Sequence, residues 1–174
     1  STDTPHTLNN LRNLKKNKFH TYPLDLIEKS FSLNLIGTIN ITQLVIGSII
    51  KNNIKGNIIN ISSIYGIKGP DQSIYSKGFE KPIDYTISKA SINGMTTYLA
   101  NYYKNTKIRI NSITLGGIEK NMSKKFIENY SNKTLLGRMA RLDDYDGAII
   151  FLLSSSSEYM TGSNLIIDGG YLNK

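Results

Sequence analysis

Cysteine is absent from the 174 residues. No disulfide framework can form, and no thiolate can serve as a nucleophile or metal ligand. Histidine is scarce: His6 and His20 both lie in the polar first stretch. A His-based metal site or catalytic triad is therefore not expected, and two surface histidines are. No unbroken apolar run reaches the ~18 residues of a membrane span, so no transmembrane helix and no membrane partner are expected. The polar start holds no apolar stretch of the signal-peptide kind, and a cytoplasmic location is expected. The first residue is Ser1, not Met. That fits either a processed start or a piece of a longer polypeptide.

What is present suits one globular domain with a real core: 39% of residues are hydrophobic and 20% charged. Net charge is +8. Such a charge admits a nucleic-acid or anionic partner. The lysines are scattered, however, with Lys15, Lys16 and Lys18 the densest cluster. Neither a stacked-aromatic pattern nor a zinc spacing accompanies them, so no nucleic-acid partner is expected. An anionic small molecule, such as a sugar phosphate or sugar nucleotide, is compatible with the charge.

The chemistry concentrates between Gly56 and Lys89. Asn57-Ile58-Ile59-Asn60-Ile61 is short and rich in β-branched residues, as a buried parallel strand is. Ser62 and Ser63 follow at its C-terminal end, where open α/β sheets place their ligands. Tyr85 and Lys89 then stand four residues apart, one turn apart on a single helix face. A phenol can move a proton, a nearby ammonium lowers its pKa, and a serine hydroxyl can hold a substrate oxygen. The Tyr-x-x-x-Lys spacing alone is weak: with 11 tyrosines and abundant lysine, about one chance match is expected. Tyr103 and Lys107 repeat it without a serine loop ahead of them and read as a solvated helix end.

Around that stretch the pattern alternates. Residues 1–20 read as a loop or insertion. Pro23 suits the first turn of a helix running to about Asn53, with Leu24, Ile27, Phe31, Leu35, Ile39 and Leu44 as its apolar stripe. On pattern alone Asn34 faces solvent. Residues 66–82 form a loop; Tyr75 within it could touch a substrate, but is read as an exposed loop tyrosine. The next helix runs from Asp84 to about Tyr103, with Ala90, Ile92, Met95, Leu99 and Tyr102 as its stripe. A second strand covers residues 107–114. Gly116 and Gly117 allow close backbone approach to a ligand. Asp143 or Asp144 caps a helix through residues 147–153, and residues 164–167 form the last strand.

The order and spacing of these pieces resemble the short-chain dehydrogenase/reductase family. The carriers are the strand and loop from Asn57 to Gly66, the Tyr85–Lys89 pair, Arg109 to Ile118, Thr161-Gly162 and Asp168-Gly169-Gly170. The resemblance implies an α/β fold: the C-terminal portion of a Rossmann-type doubly wound parallel sheet. It implies an NAD- or NADP-dependent oxidoreductase acting on a carbinol or carbonyl. It assigns Tyr85 as acid/base, Lys89 as its pKa-lowering partner and ribose contact, and Ser63, rather than Ser62, as the substrate-oxygen ligand. Asn34, in an Asn-Leu-x-Gly setting, would distort its helix and hold a water that reaches the lysine. Ile61, Gly116, Gly117 and Ile118 would flank the cofactor, and residues 118–136 would close over the substrate. The helices around residues 24–53 and 84–103, with Ile46, Ile50 and Tyr98 as surplus apolar residues, would make a homodimer or homotetramer.

Two departures stand out. The loop between Ser63 and Tyr85 is longer than the family's, and Leu115 replaces the family's usual proline before Gly116. The family's glycine-rich phosphate turn and Asn-Asn-Ala-Gly stretch are also missing, which implies that the N-terminal βαβ part, roughly 70–90 residues, is gone. Residues 1–174 are expected to be a partial domain, with 21–174 its catalytic half, inactive alone. Gly69-Pro70-Asp71-Gln72, Lys81-Pro82, Gly137-Arg138-Met139-Ala140 and Tyr159-Met160 resemble a subgroup that builds bacterial surface sugars, flagellin glycans included. That resemblance implies a sugar-derivative substrate. A non-catalytic Rossmann-like binding or scaffold protein stays open as the alternative.

Overall fold

The computed structural model describes residues 18–174. Residues 1–17, with His6, Lys15 and Lys16, lie outside the described residues, as does most of the expected N-terminal loop. Among the described residues, three parallel strands form one sheet in the order β1 (Gly56–Ser63), β2 (Ile108–Leu115), β3 (Asn164–Ile167). β1 and β2 pair along their full length, Gly56 with Ile108 through Ser63 with Leu115. β3 pairs with the C-terminal half of β2, Ser112 with Asn164 through Leu115 with Ile167.

Strand periodicity assigns the layers. The even-numbered Ile58, Ile108 and Ile110 turn to one face and meet Ile46, Ile49, Leu99 and Tyr103. That face is covered by two helices, α1 (Leu24–Lys51) and α2 (Ile83–Tyr102). The odd-numbered Asn57 and Arg109 turn to the other face. There the Leu152 carbonyl, in α4 (Asp146–Leu153), accepts from Asn57 Nδ2 at 2.7 Å and Arg109 Nη2 at 3.3 Å. Arg109 Nη1 also donates to the Ser157 and Met160 carbonyls. One guanidinium thus stitches the segment before β3 to the sheet.

The helix faces differ from the expected stripes. In α1 the buried residues are Leu26, Ser30, Asn34, Thr42, Ile46 and Ile49, while Leu24 and Leu44 are exposed. The cause is a π turn at Ser32–Ile36, where the Gly37 N–H reaches back five residues to the Ser32 carbonyl. This extra residue resets the phase of the helix, so Asn34 points inward. Ile46, expected to be surplus, is a core residue. Ile50 and Tyr98 are exposed as expected. Pro23 is the N-cap rather than a first-turn residue. α1 is also long and apolar enough to cross a membrane by length and composition, with mean hydropathy 1.6 in its best window. Counting unbroken apolar runs missed this, because Asn and Thr punctuate the stretch. In the fold this helix packs on β1 and the π turn packs on α2.

In α2 the inward face is Asp84, Ser88, Lys89, Ile92 and Thr96, mostly polar, and Ala90 and Tyr102 are exposed. A polar inward face has to be satisfied. Asn60 Nδ2 donates to Thr96 Oγ1 at 2.9 Å, and Ser62 Oγ donates to the Lys89 carbonyl at 3.0 Å. Tyr103 is not a solvated helix end: it packs half-buried on the isoleucine cluster, away from the serine loop. Before α4, the Asp144 carboxylate accepts from the Arg141 N–H at 2.7 Å and caps the 3-10 turn Leu142–Tyr145. It caps that turn and not the helix itself.

Candidate active site

A cavity of about 730 Å³ opens at the C-terminal ends of β1 and β2, where parallel sheets place their ligands. Ser63, Tyr85, Lys89, Ile61, Gly116, Gly117 and Ile118 all line it. Ser63 arrives from the end of β1, Tyr85 and Lys89 from the first turns of α2, and the glycines from the turn after β2. Asn34 does not line it. It lines a neighbouring cavity of about 300 Å³, which shares Ile61 and Lys89 with the first. Lys89 therefore stands in the wall between the two.

Lys89 is 5% exposed, and its ammonium donates to the Ile61 carbonyl at 2.8 Å. Burial pushes its pKa down to about 8, because desolvation disfavours the charged form. Its Nζ lies 5.9 Å from the centroid of the Tyr85 ring. The two serines differ. Ser62 has committed its proton to the Lys89 carbonyl, whereas Ser63 Oγ accepts the Tyr65 N–H at 3.2 Å. The Ser63 proton is thus still available to a bound oxygen. Asn34 Nδ2 donates to Ser30 Oγ at 3.3 Å, while its Oδ1 is buried with no partner among the described residues. Thr38, Thr42 and Asn60 line the same small cavity beside isoleucines and Val45; it is roomy enough for water, and these three add polar partners to Asn34.

Gly116 and Gly117 do line the cavity, but their missing side chains serve the protein itself. A Cβ at Gly116 would stand 2.9 Å from the Asp168 Cα, and one at Gly117 2.7 Å from the Tyr130 ring. The close approach is made by neighbours in the same chain. Ile118 and Ala140 form an isolated parallel bridge that steadies the turn.

Several lining residues carried no sequence signal. Tyr130, on α3 (Lys124–Ser131), is 2% exposed and accepts the Gly117 N–H on its hydroxyl. Burial raises its pKa well above the ordinary phenol value. Tyr75, read as exposed, is a wall residue: its hydroxyl donates to Tyr65 at 2.9 Å and its ring packs on Phe79 and Phe126. Desolvation likewise pushes the Tyr65 phenol far up. α3 is fastened to the long loop by Asn129 Nδ2 donating to the Ile74 carbonyl at 3.2 Å, and the turn after it by a Lys133–Asp71 ion pair at 2.8 Å. Among the described residues, the charged groups lining the cavity are Lys81, Lys89 and Lys120, with no carboxylate.

Comparison with known proteins places the chain. A family model described as enoyl-(acyl carrier protein) reductase matches residues 6–172. Post-translational flagellin modification protein A of Campylobacter coli is 35% identical over 144 residues, covering 82% of this chain and 56% of that protein. L-xylulose reductase of Caenorhabditis elegans is 34% identical over 156 residues, covering 84% and 57%. The crystal structure of a short chain dehydrogenase from Leptospira borgpetersenii with bound NAD+ has a TM-score of 0.83 at 37% identity, covering 95% of this chain and 69% of that one. The chain thus spans a little over half the length of the curated relatives it matches.

Proposed function

The chain belongs to the short-chain dehydrogenase/reductase family, and on that footing we propose that its full polypeptide is an NAD- or NADP-dependent oxidoreductase interconverting a carbinol and a carbonyl. One observation carries the reading: Ser63, Tyr85 and Lys89, from two elements, face one cavity at the C-terminal end of the sheet. The donor set fits the nicotinamide end of the cofactor. Lys89 and Tyr85 can hold ribose hydroxyls, and Ile61 and Gly116 to Ile118 offer flanking backbone. The nicotinamide, when bound, supplies or accepts the hydride.

The remaining steps belong to the protein. Tyr85 takes the hydroxyl proton when a carbinol is oxidised and returns it to the oxygen when a carbonyl is reduced. The Lys89 ammonium favours the phenolate through its charge. Ser63 donates to the substrate oxygen. Asn34, with its buried Oδ1, holds water in the small cavity against Lys89, giving the proton a route onward. The helix faces with Ile50, Tyr98 and Tyr102 exposed pair with a second subunit in a homodimer or homotetramer.

For the substrate we favour a sugar derivative. The flagellin-modification and xylulose-reductase relatives support this, as do the aromatic walls of Tyr75, Phe79 and Phe126 beside Ser76 and Ser123. The test is a panel assay on the full polypeptide, following oxidation of NADH and NADPH. Ketoses and keto-sugar derivatives form one arm, and acetoacetyl and enoyl thioesters the other. Turnover of the sugar arm supports the assignment. Turnover of thioesters alone overturns the substrate class, and turnover of neither with either cofactor overturns the enzyme reading.

A further inference from the structure

Lys81 has no part in the chemistry assigned above, yet it stands closer to the Tyr85 ring than Lys89 does. Its Nζ lies 4.1 Å from the ring centroid, inside the 5.9 Å of Lys89. The position is built. Gln72 grips the Lys81 backbone from both sides: the Lys81 N–H donates to Gln72 Oε1 at 2.8 Å, and the Lys81 carbonyl accepts from Gln72 Nε2 at 3.1 Å. Gln72 opens the 3-10 turn Gln72–Ile74, whose cap Asp71 accepts from both the amide and the hydroxyl of Ser73. Asp71 is tied in turn to Lys133, and those contacts hold its carboxyl well below the usual range. On the other side Pro82 fixes the backbone just before α2 begins. The long loop therefore roots Lys81 against the helix that carries Tyr85.

A cation over a ring attracts a neutral phenol through its quadrupole and a phenolate through its full charge. The second attraction is larger, so the ammonium favours ionisation. Facing the Tyr85 ring are Lys81 from the segment before α2, Lys89 from α2 itself, and the Tyr65 phenol, its ring centroid 6.4 Å away, from the turn after β1. Lys120 stands on the same cavity wall. We propose that Lys81 is a second positioning residue for Tyr85, placing the phenolate in the field of two ammonium groups rather than one. The proposal rests on the reading of Tyr85 as acid/base. On this proposal the long loop between Ser63 and Tyr85 serves to carry a cation to the ring.

The test is an NMR titration of the protein labelled with 13C at tyrosine Cζ, the Tyr85 signal being assigned by its loss in Tyr85→Phe. In the wild type the Tyr85 midpoint should fall below the ordinary tyrosine value of about 10. Lys81→Met should raise it by about half to one pH unit, and Lys81→Arg should restore it. If the Met variant fails to fold, Lys81→Gln replaces it with the same expectation. Lys89→Met, run beside them, separates the two readings. A midpoint that moves in Lys89→Met but not in Lys81→Met overturns the role of Lys81 and leaves the acid/base reading standing. A wild-type midpoint at or above the ordinary value, or equal shifts in the Met and Arg variants, also overturns the proposal.

Discussion

The two ends of the sheet are built on opposite terms. At the N-terminal end Ile46, Ile49, Ile108 and Ile110 pack together, with Ile110 fully buried. Most polar groups nearby find partners: Arg109 serves three carbonyls and Asn57 Nδ2 shares one of them, while Asn57 Oδ1 is buried with no partner among the described residues. At the C-terminal end the buried residues are largely polar, and their bonding is incomplete. The buried Lys89 ammonium is held by the Ile61 carbonyl, and Asn34 Oδ1 has no partner among the described residues. An ammonium in such a place destabilises the fold. The contrast teaches where stability and chemistry are separated along one set of strands: the same eight-residue β1 gives Ile58 to the dry core at one end and Ser63 to the cavity at the other.

Four substitutions would break or sharpen that contrast. The largest effect belongs to Tyr85→Phe in the full polypeptide, which should lower kcat/KM by at least ~10²-fold while leaving the urea midpoint nearly unchanged. Equal losses in Tyr103→Phe would sink the assignment. Next is Ile110→Ala at the dry end, which should cost about 2–5 kcal/mol in chemical denaturation. Any loss of activity there should track the folded fraction alone.

Third is Lys89→Met. Burial depresses the Lys89 pKa from 10.5 to about 8 in the folded chain. Between those values the unfolded chain binds more protons, so stability rises with pH through that window. Below pH 8 both states are protonated and the full penalty is present. Lys89→Met should therefore stabilise the fold at neutral pH by about 1–3 kcal/mol and abolish the rise between pH 8 and 10.5, while removing activity. Urea midpoints measured across that range check it; a destabilised variant would show that the ammonium holds the fold together. The smallest effect is Tyr103→Phe itself, expected within about 0.5 kcal/mol of wild type in stability and unchanged in turnover.

The site was more legible in the sequence than the helix faces were. β3 falls where the β-branched run placed it, β1 extends one residue before and two beyond its run, and β2 lies one residue later than the expected 107–114. Ser63, Tyr85 and Lys89 meet in one cavity because strand end and helix start are fixed by local pattern. Helix faces misled the reading because hydrophobic stripes assume a core of apolar residues. In α1 and α2 the inward face also carries Ser30, Asn34, Thr42, Ser88, Lys89 and Thr96 beside its few apolar residues, and pattern alone turns those polar residues toward water. Tyr130 and Tyr75 reach the cavity through tertiary packing of loops, which no short-range spacing encodes. Lys81 was visible as a residue, but its place over the ring depends on Gln72, nine positions earlier.

The π turn at Ser32–Ile36 has a genetic consequence. Each step of four residues overshoots a 3.6-residue turn by about 40°, so the buried series Leu26, Ser30, Asn34, Thr42, Ile46 would spiral off the sheet in a plain helix. The turn takes back that drift with one residue more than an α-helix needs. Loss of a single codon within 32–36 would leave the helix as apolar as before. It would also close the turn into plain α-helix and keep everything beyond Gly37 in phase, with Thr42, Ile46 and Ile49 still against β1. Leu33 and Ile36 are exposed at 56% and 57%, so either side chain can be exchanged freely. The phase beyond them survives the loss of one residue here, whereas a deletion within Gly37–Lys51 would turn the rest of the helix by about 100°.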